Sequence, residues 1–373
     1  MPARTYRSSR TYRTLQRIYM KKGIYKFFLF GVCERVRDAM FAMSRFHHEK
    51  PVIFRQSVER NIDILRSCQR SLVRLSIPWQ FQGAYAQSVF PSCSPFLRAT
   101  FTKETLWAPD GGRHTLAWST HGVNADDMPI LFCAHGMGAS LDSHYIHRLE
   151  QLCSLKSWRM VVHFRRGHEA PVVEGAALPT HGASDDTDQA VEHVHKRYPS
   201  AKKVAVGFSA GGNVIALHQG LKGDASRFVG AMVMSASGCD YEDGTPALSS
   251  LANEVLVSFM LVSHRDLIRA RPRTLLELDS SLYPDVHGYY AANSGCTHFH
   301  GIARPFLSLS AMDDPVVPAI MIQKVIDAVL INENIIVVQT QKGGHMGWHT
   351  AAPHPWWLDV LEDYFTTILS SRL

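Results

Sequence analysis

Acidic side chains are missing from the first 33 residues of this 373-residue chain, which hold eight lysines and arginines before the first acid, Glu34. Because the formal net charge of the whole chain is only +6, the remainder is close to neutral. That balance argues against a basic nucleic-acid-binding face on the folded body. The seven cysteines show no CxxC spacing, which argues against a zinc site and favours free thiols in a reducing compartment.

A long apolar run is also missing near the N-terminus. The stretch Ile24–Cys33 contains Lys26 and falls well short of the roughly 20 apolar residues that span a bilayer as a helix. An Arg-rich, Ser-rich and acid-poor leader is typical of a mitochondrial transit peptide. A basic stretch beside an aromatic-rich one also suits a helix lying on an anionic membrane surface. A solvated basic tail leading into a packed helix is the third reading, and the residues leave all three open.

Apolar periodicity divides the rest of the chain. Residues 34–75 show apolar side chains every three or four positions, which predicts helix, and residues 76–100 are predicted to be mostly loop. From residue 101 onward, short apolar strands alternate with helices. The predicted strands are Thr105–Ala108, Thr115–Ser119, Pro129–Ala134, Arg159–Phe164, Lys203–Gly207, Phe228–Ser235, Pro305–Ser310 and Ile335–Thr340. This alternation is the signature of an α/β fold with a mostly parallel sheet covered by helices on both faces.

The alternation is interrupted over residues 240–300, which contain helical stretches and a predicted loop with Tyr289 and Tyr290. We interpret this stretch as a helical cap insert over the carboxyl edge of the sheet, where ligands bind in such folds. The predicted organisation is therefore a basic targeting or membrane-associating segment (1–33), a helical extension (34–100) and an α/β domain (101–373).

The segment Gly207-Phe208-Ser209-Ala210-Gly211 joins a predicted strand to a predicted helix. In that context a G-x-S-x-G motif forms a sharp turn that projects the serine hydroxyl from the sheet edge. Ser209 is therefore the candidate nucleophile. The amide of Ala210 is one candidate oxyanion donor, and the amide of Met137, in the loop His135-Gly136-Met137-Gly138, is the other. His135 is expected to hold that loop by hydrogen bonds.

A serine nucleophile needs a base, and the base needs an orienting acid. In the α/β-hydrolase fold these follow the serine in the order acid, then histidine. His345 follows the last predicted strand, between Gly343-Gly344 and Gly347, and is the candidate base, with His349 expected to be a helix-start or surface residue. Asp313 and Asp314 both follow the preceding strand, and the pattern leaves the choice between them open.

Several motifs resemble the AB hydrolase 4 family of the AB hydrolase superfamily, a family of serine esterases and lipases. The segments that carry the likeness are Pro78-Trp79 with Gly83 and Gln87, His135–Gly138, Arg166-Gly167, Arg197–Pro199, Gly207–Ser209, Leu276–Asp279, Gly288–Tyr290, Asp313–Pro315 and Gly343–Gly347. The resemblance favours Asp314 as the acid, because related hydrolases often place it four residues before a proline such as Pro318. The run before Arg166-Gly167 lacks the asparagine frequent in the family, so acyl-chain preference is not transferred.

The resemblance implies a Ser-Asp-His hydrolase that cleaves fatty acyl or lipid esters, such as monoacylglycerols, phospholipids or medium-chain esters, through an acyl-enzyme. An acyltransferase that uses an alcohol in place of water, or a catalytically silent binding protein on the same fold, are the alternatives. No metal or organic cofactor is expected, and the partner is a small lipid ester. The family's frequent attachment to membranes through the N-terminus favours membrane association, with mitochondrial or cytoplasmic locations as alternatives.

Overall fold

A nine-stranded sheet forms the centre of the molecule. The computed structural model describes residues 46–93, 97–120, 125–169, 173, 176–177, 180, 182–236, 286–317 and 319–371. The strands are β1 (Phe46–Glu49), β2 (Val52–Phe54), β3 (Leu75–Pro78), β4 (Phe101–Trp107), β5 (Arg113–Ser119), β6 (Ile130–Ala134), β7 (Arg159–Phe164), β8 (Lys203–Phe208), β9 (Phe228–Met234), β10 (Phe306–Ala311) and β11 (Ile335–Thr340). The order across the sheet is β2-β11-β10-β9-β8-β6-β7-β5-β4, and β1 pairs separately with β3.

The six central strands, β11 to β7, run parallel to one another. At the edges the pairing is antiparallel: β2 with β11, β5 with β7, and β4 with β5. The helices of the described residues are α1 (Glu59–Ser67), α2 (Gln69–Leu72), α3 (Ala84–Cys93), α4 (His144–Lys156), α5 (Ser184–Arg197), α6 (Ala210–Lys222), α7 (Val286–Asn293), α8 (Ala319–Ile331) and α9 (Trp356–Ser370). Short 3-10 helices lie at Trp79–Phe81, Gly223–Ala225 and Gly295–Gly301.

Both faces of the sheet are buried under helices, so its central strands are continuous runs of apolar residues such as Val, Ile, Phe and Met. One buried cluster joins the sheet to α1, α4 and α9, and the other joins it to α5, α6 and α8. A strand buried on both faces needs no polar positions, so its sequence does not alternate. The predicted α/β fold with a mostly parallel, helix-covered sheet is confirmed.

Within the described part of 34–75, the predicted helix is present as α1 and α2, but the prediction is wrong for residues 46–54. Residues 46–49 and 52–54 form β1 and β2, and β2 pairs with β11 in the central sheet. Pro51 between them lacks the backbone N–H that a continuous helix requires and was an available signal. The loop predicted for 76–100 is also wrong in part, because it contains the end of β3 and all of α3.

The region of the predicted cap insert is described only from residue 286 onward, so its earlier part lies outside the described residues. Tyr289 and Tyr290 lie in α7 rather than in the predicted loop. Residues 1–33 also lie outside the described part of the chain, and the predicted division into domains stays a prediction. Among the helices that the structure describes, none has both the length and the apolar character needed to cross a membrane.

Arg166 ties the antiparallel edge of the sheet to α5. Its guanidinium makes two parallel hydrogen bonds to Asp186, of 2.7 and 2.8 Å, and a third of 2.5 Å to Asp110 in the turn between β4 and β5. The side chain of Asp186 is only 8% exposed, so its charge depends on this arginine for compensation. The position of Arg166, directly after β7, thus has a structural reason that does not involve chemistry.

Replacing Arg166 by Met should lower the free energy of unfolding by about 3–5 kcal/mol, because it leaves a buried carboxylate without its partner. The measurement is the urea unfolding transition. The matched control is Arg66→Met, which removes an exposed arginine paired with Asp63 and should cost less than about 1 kcal/mol. Equal unfolding midpoints for the two variants would contradict the role of Arg166 in compensating the buried Asp186 carboxylate.

Candidate active site

Ser209 lies between β8 and α6 in a backbone conformation that L-residues rarely adopt, with φ 51° and ψ −121°. Such a conformation costs about 1–3 kcal/mol and persists only where the surroundings enforce it. The chain can double back here because Gly207 and Gly211 have no side chains. A Cβ on Gly207 would clash with the Gly211 carbonyl, and a Cβ on Gly211 with the Ala134 carbonyl. The serine is therefore held at the carboxyl edge of the sheet.

The Ser209 hydroxyl faces the ring of His345, with 2.9 Å between Oγ and Nε2. The other ring nitrogen, Nδ1, lies 2.9 Å from Oδ2 and 3.1 Å from Oδ1 of Asp314. With the Nδ1 proton donated to the carboxylate, the lone pair of Nε2 points at the hydroxyl. Ser209 is 1% exposed and His345 is 7% exposed, so these hydrogen bonds are shielded from bulk water.

Asp314 is fixed by its own backbone as well as by the histidine. Its Oδ1 accepts hydrogen bonds from the amides of Val316 (2.8 Å) and Val317 (3.0 Å). The carboxylate thus has a set orientation toward His345.

Asp313 does not contact His345 through its side chain and has a different task. Its Oδ1 accepts a hydrogen bond of 2.9 Å from the amide of Gly344, the residue before the histidine. Burial raises the pKa of Asp313 to about 6, although the Gly344 amide and the nearby Lys342 both act in the opposite direction. Of the two adjacent acids that sequence reasoning left open, one reaches the histidine ring and the other holds its loop.

Helix α3 supports the His345 loop from the N-terminal part of the chain. The amide of His345 donates to Oγ of Ser88 at 2.8 Å. Gln87, which is fully buried, accepts a hydrogen bond from the His349 amide (2.6 Å) and donates one to the His349 carbonyl (3.2 Å). His349 itself is 6% exposed and lies before α9, so the prediction of a helix-start or surface residue is wrong.

The end of β9 supplies another support for the same loop. Ser235, a buried residue with φ 45°, accepts a hydrogen bond of 3.1 Å at its Oγ from the amide of Met346. Together with Asp313, Ser88 and Gln87, it fixes the backbone on both sides of His345. None of these four supporting roles was predicted from the sequence.

The loop that contains Met137 passes beside the serine. A Cβ built on Gly136 would lie 3.3 Å from the Cβ of Ser209, and Ala210 follows the serine as the first residue of α6. The amide of Gly136 donates to the hydroxyl of Tyr145 at 3.1 Å, and the Tyr145 ring packs on Phe208 with centroids 4.5 Å apart. The structure therefore places Ala210 directly after Ser209 and the loop of Met137 beside it, while the oxyanion role of the two amides stays a prediction.

His135 holds this loop without facing the serine. Its Nδ1 lies 2.6 Å from the Gly136 carbonyl, and its Nε2 lies 3.3 Å from the Arg165 amide, which donates to it. Burial, together with the neighbouring His168 and Arg165 charges, lowers its pKa well below the ordinary value, so the ring is neutral. In the part of the chain that the structure describes, no group of three or more His, Cys, Asp or Glu residues could hold a metal ion.

The sheet is mostly parallel and covered by helices, and a serine lies in a strained strand-to-helix turn. The serine is hydrogen-bonded to a histidine, which is in turn hydrogen-bonded to an aspartate. These features define the α/β-hydrolase fold. The structural comparison agrees with this class. An esterase of Pyrococcus furiosus has a TM-score of 0.50 at 14% identity, covering 72% of this chain and 93% of the esterase. An acylaminoacyl peptidase of Pyrococcus horikoshii has a TM-score of 0.52 at 15% identity, covering 74% of this chain and 43% of the peptidase. At these identities the likeness shows the fold.

The chain is also similar in sequence to proteins named as lipases and abhydrolase-domain proteins. Abhydrolase domain-containing protein 2 of Drosophila melanogaster is 27% identical over 271 residues, covering 63% of this chain and 68% of the relative. Phospholipase ABHD3 of Homo sapiens is 25% identical, covering 72% and 71%. The monoacylglycerol lipase of Saccharomyces cerevisiae is 25% identical, covering 61% and 56%. No protein-family model matches the chain. The chain is thus an enzyme with the α/β-hydrolase fold, and its sequence is similar to those of esterases and lipases.

Replacing Asp313 by Asn should stabilise the protein increasingly as the pH rises from about 4 to about 6. The folded-state pKa of about 6 lies above the ordinary value of 3.8, so in this window the folded state keeps a proton that the unfolded state has released. The free energy of unfolding of the parent therefore falls with rising pH, while asparagine has no proton to lose. Urea unfolding at a series of pH values measures the difference.

The control for this pH series is Asp142→Asn, at an aspartate that is 73% exposed and paired with Arg98. Its stability relative to the parent should not rise across the window. If the difference in free energy of unfolding between Asp313→Asn and the parent stays constant with pH, the raised pKa of the Asp313 carboxyl is contradicted.

Proposed function

We propose that the chain hydrolyses fatty acyl or lipid esters through an acyl-enzyme on Ser209. The observation that carries the proposal is the continuous hydrogen-bond path from the Ser209 hydroxyl through both nitrogens of His345 to the carboxylate of Asp314. A serine hydroxyl is a weak nucleophile until a base within hydrogen-bond reach takes its proton, and this path supplies such a base.

In the proposed reaction, Nε2 of His345 takes the proton of Ser209 as Oγ attacks the ester carbonyl. Asp314 stabilises the imidazolium that forms and keeps its Nδ1–H in place. The amides of Met137 and Ala210 donate to the oxyanion, each contributing about 3 kcal/mol if they act as such donors do elsewhere. His345 then protonates the leaving alcohol, and a water molecule activated by the same nitrogen releases the acid.

The names of the relatives support a lipid ester as the substrate. Those names include a monoacylglycerol lipase and a phospholipase that align over much of the chain. A monoacylglycerol or phospholipid carries its acyl ester next to a polar head, so both would present the same carbonyl to Ser209. Contact with a membrane surface through residues 1–33 remains a prediction, as does the location of the protein.

Labelling by a fluorophosphonate probe tests the nucleophile. The folded protein should label at Ser209, and Ser209→Ala should abolish both labelling and hydrolysis of p-nitrophenyl esters without lowering the unfolding midpoint. Ser209→Ala removes one hydroxyl from a buried site, so its thermal stability serves as the control for folding. A well-folded parent that never labels would overturn the proposal. A series of chain lengths, followed by monoacylglycerols and phospholipids, then identifies the preferred acyl group.

The identity of the acid is tested by comparing Asp314→Asn with Asp313→Asn. An asparagine at 314 would favour the wrong tautomer of His345, and in a serine protease the corresponding change lowers kcat by about 10⁴-fold. Asp313→Asn keeps the acceptor for the Gly344 amide and should change kcat by less than about 10-fold. Steady-state kinetics on one ester measures both, and equal losses would contradict the separate roles.

A further inference from the structure

A half-open surface cavity of about 590 Å³ lies beside the segment that follows His345, and Ser209 is not among its lining residues. Its lining comes from the first described strand, the 3-10 turn after β3, α4 and the loop that follows His349. Three aromatic side chains, Phe46, Trp79 and Phe81, contribute to its wall, and Trp79 remains 51% exposed. This volume falls in the range of sites that hold small ligands of drug-like size.

Arg148 of α4 also lines this cavity, and its charge is poorly compensated. The residue is only 6% exposed, yet with the described residues its guanidinium makes a single hydrogen bond, of 3.1 Å, from Nη1 to the carbonyl of Pro353. Its Nε is buried without a hydrogen-bond partner. Among the described residues, no Asp or Glu pairs with it, in contrast to Arg166, which is held by two carboxylates.

The neighbouring titratable groups do not compensate that charge either. Burial, His349 and Arg148 together lower the pKa of His144 to about 3, and burial followed by Arg148 lowers the pKa of His349 to about 4. Both rings are therefore neutral at physiological pH, and the guanidinium is the local positive charge. Natural proteins rarely keep a buried charge unpaired, because its desolvation is costly unless a counter-charge is supplied.

We propose that this cavity binds an anionic amphiphile, a carboxylate or phosphate head on an acyl chain, with the head paired to Arg148 and the chain against the aromatic wall. Guanidinium groups pair with carboxylate and phosphate oxygens through short, charge-assisted hydrogen bonds. The aromatic rings beside Arg148 offer an apolar surface on which an acyl chain can be removed from water. The site is separate from the proposed ester-cleaving centre, and the proposal does not depend on hydrolysis.

The site also contacts the support of the catalytic histidine. His349, which lines the cavity, has its backbone held by Gln87, and its ring lies 5.7 Å from that of Phe81. A ligand seated here touches the segment that continues from His345.

Direct binding to the full chain carrying Ser209→Ala tests the proposal, because this variant cannot turn over an ester ligand. The probe is ω-bromoundecanoate, whose bromine quenches nearby tryptophan fluorescence, and Trp79 lies in the cavity wall. We expect saturable quenching that is lost in Trp79→Phe, while calorimetry shows that Trp79→Phe still binds. The methyl ester of the same acid, which has the chain without the charge, should bind about 10- to 100-fold more weakly, the usual strength of a charged hydrogen bond.

Arg148→Met should weaken binding of the carboxylate by the same factor and leave binding of the methyl ester unchanged. Because a buried arginine can matter for folding, Ala352→Phe is a second variant: it fills the cavity from an exposed lining position and should abolish the Trp79-dependent quenching by both ligands, while any binding of the methyl ester at the Ser209 site is unchanged. Arg66→Met, at a remote exposed arginine, is the matched control and should bind as the parent does.

The source of the anionic head is decided by competition. Displacement of the probe by dodecyl phosphate more effectively than by dodecanoate assigns a lipid phosphate, and the reverse assigns a free fatty acid; both support the proposal. Four results would each overturn the proposed binding site. The acid and the methyl ester could quench Trp79 with equal affinity, or Arg148→Met could have no effect. Inorganic phosphate alone could displace the probe equally well, or the full chain could show no quenching because its own residues fill the cavity. Loss of ester hydrolysis in the parent would refute the proposed function without affecting these outcomes.

Discussion

The backbone conformation of Ser209 is the constraint on which the rest of the site depends. A residue with φ near +50° costs free energy, and the surroundings must offset that cost. The offset comes from close packing of β8, α6 and the strand before the Met137 loop, which is possible only where Gly207 and Gly211 lack side chains. Because this packing involves the middle of a sheet buried on both faces, the serine is held by the buried centre of the fold.

The remaining members of the site arrive from distant parts of the chain, and the parallel sheet explains how they meet. Strands β6, β8, β10 and β11 run in the same direction, so the loops after them all open at one edge. Asp314 and His345 reach Ser209 from two of these loops. Short helices elsewhere in the chain then fix the exact loop paths, as α3 does for His345.

Much of the fold was predictable because its signal is local. The uniformly apolar strands, the alternation with helices and the G-x-S-x-G turn each depend on neighbouring residues. The residues that support the His345 loop were not predictable, because their roles depend on tertiary contacts. Helix α3 contains serines and a proline that disfavour helix, and its contacts with the His345 loop lie more than 250 residues away in sequence. The choice between Asp313 and Asp314 needed the same long-range geometry, since two adjacent identical side chains carry no pattern that separates them.

The support that Ser88 and Gln87 give to the His345 loop has a consequence during synthesis of the chain. The histidine and its anchor come from opposite ends of the sequence, so a growing chain carries the serine turn long before the base is made and docked. A nascent or truncated chain that ends before residue 345 would hold an exposed serine with no means of removing its proton. Esterase activity should therefore report completion of the whole fold, and it can serve as a sensitive assay for correctly refolded protein.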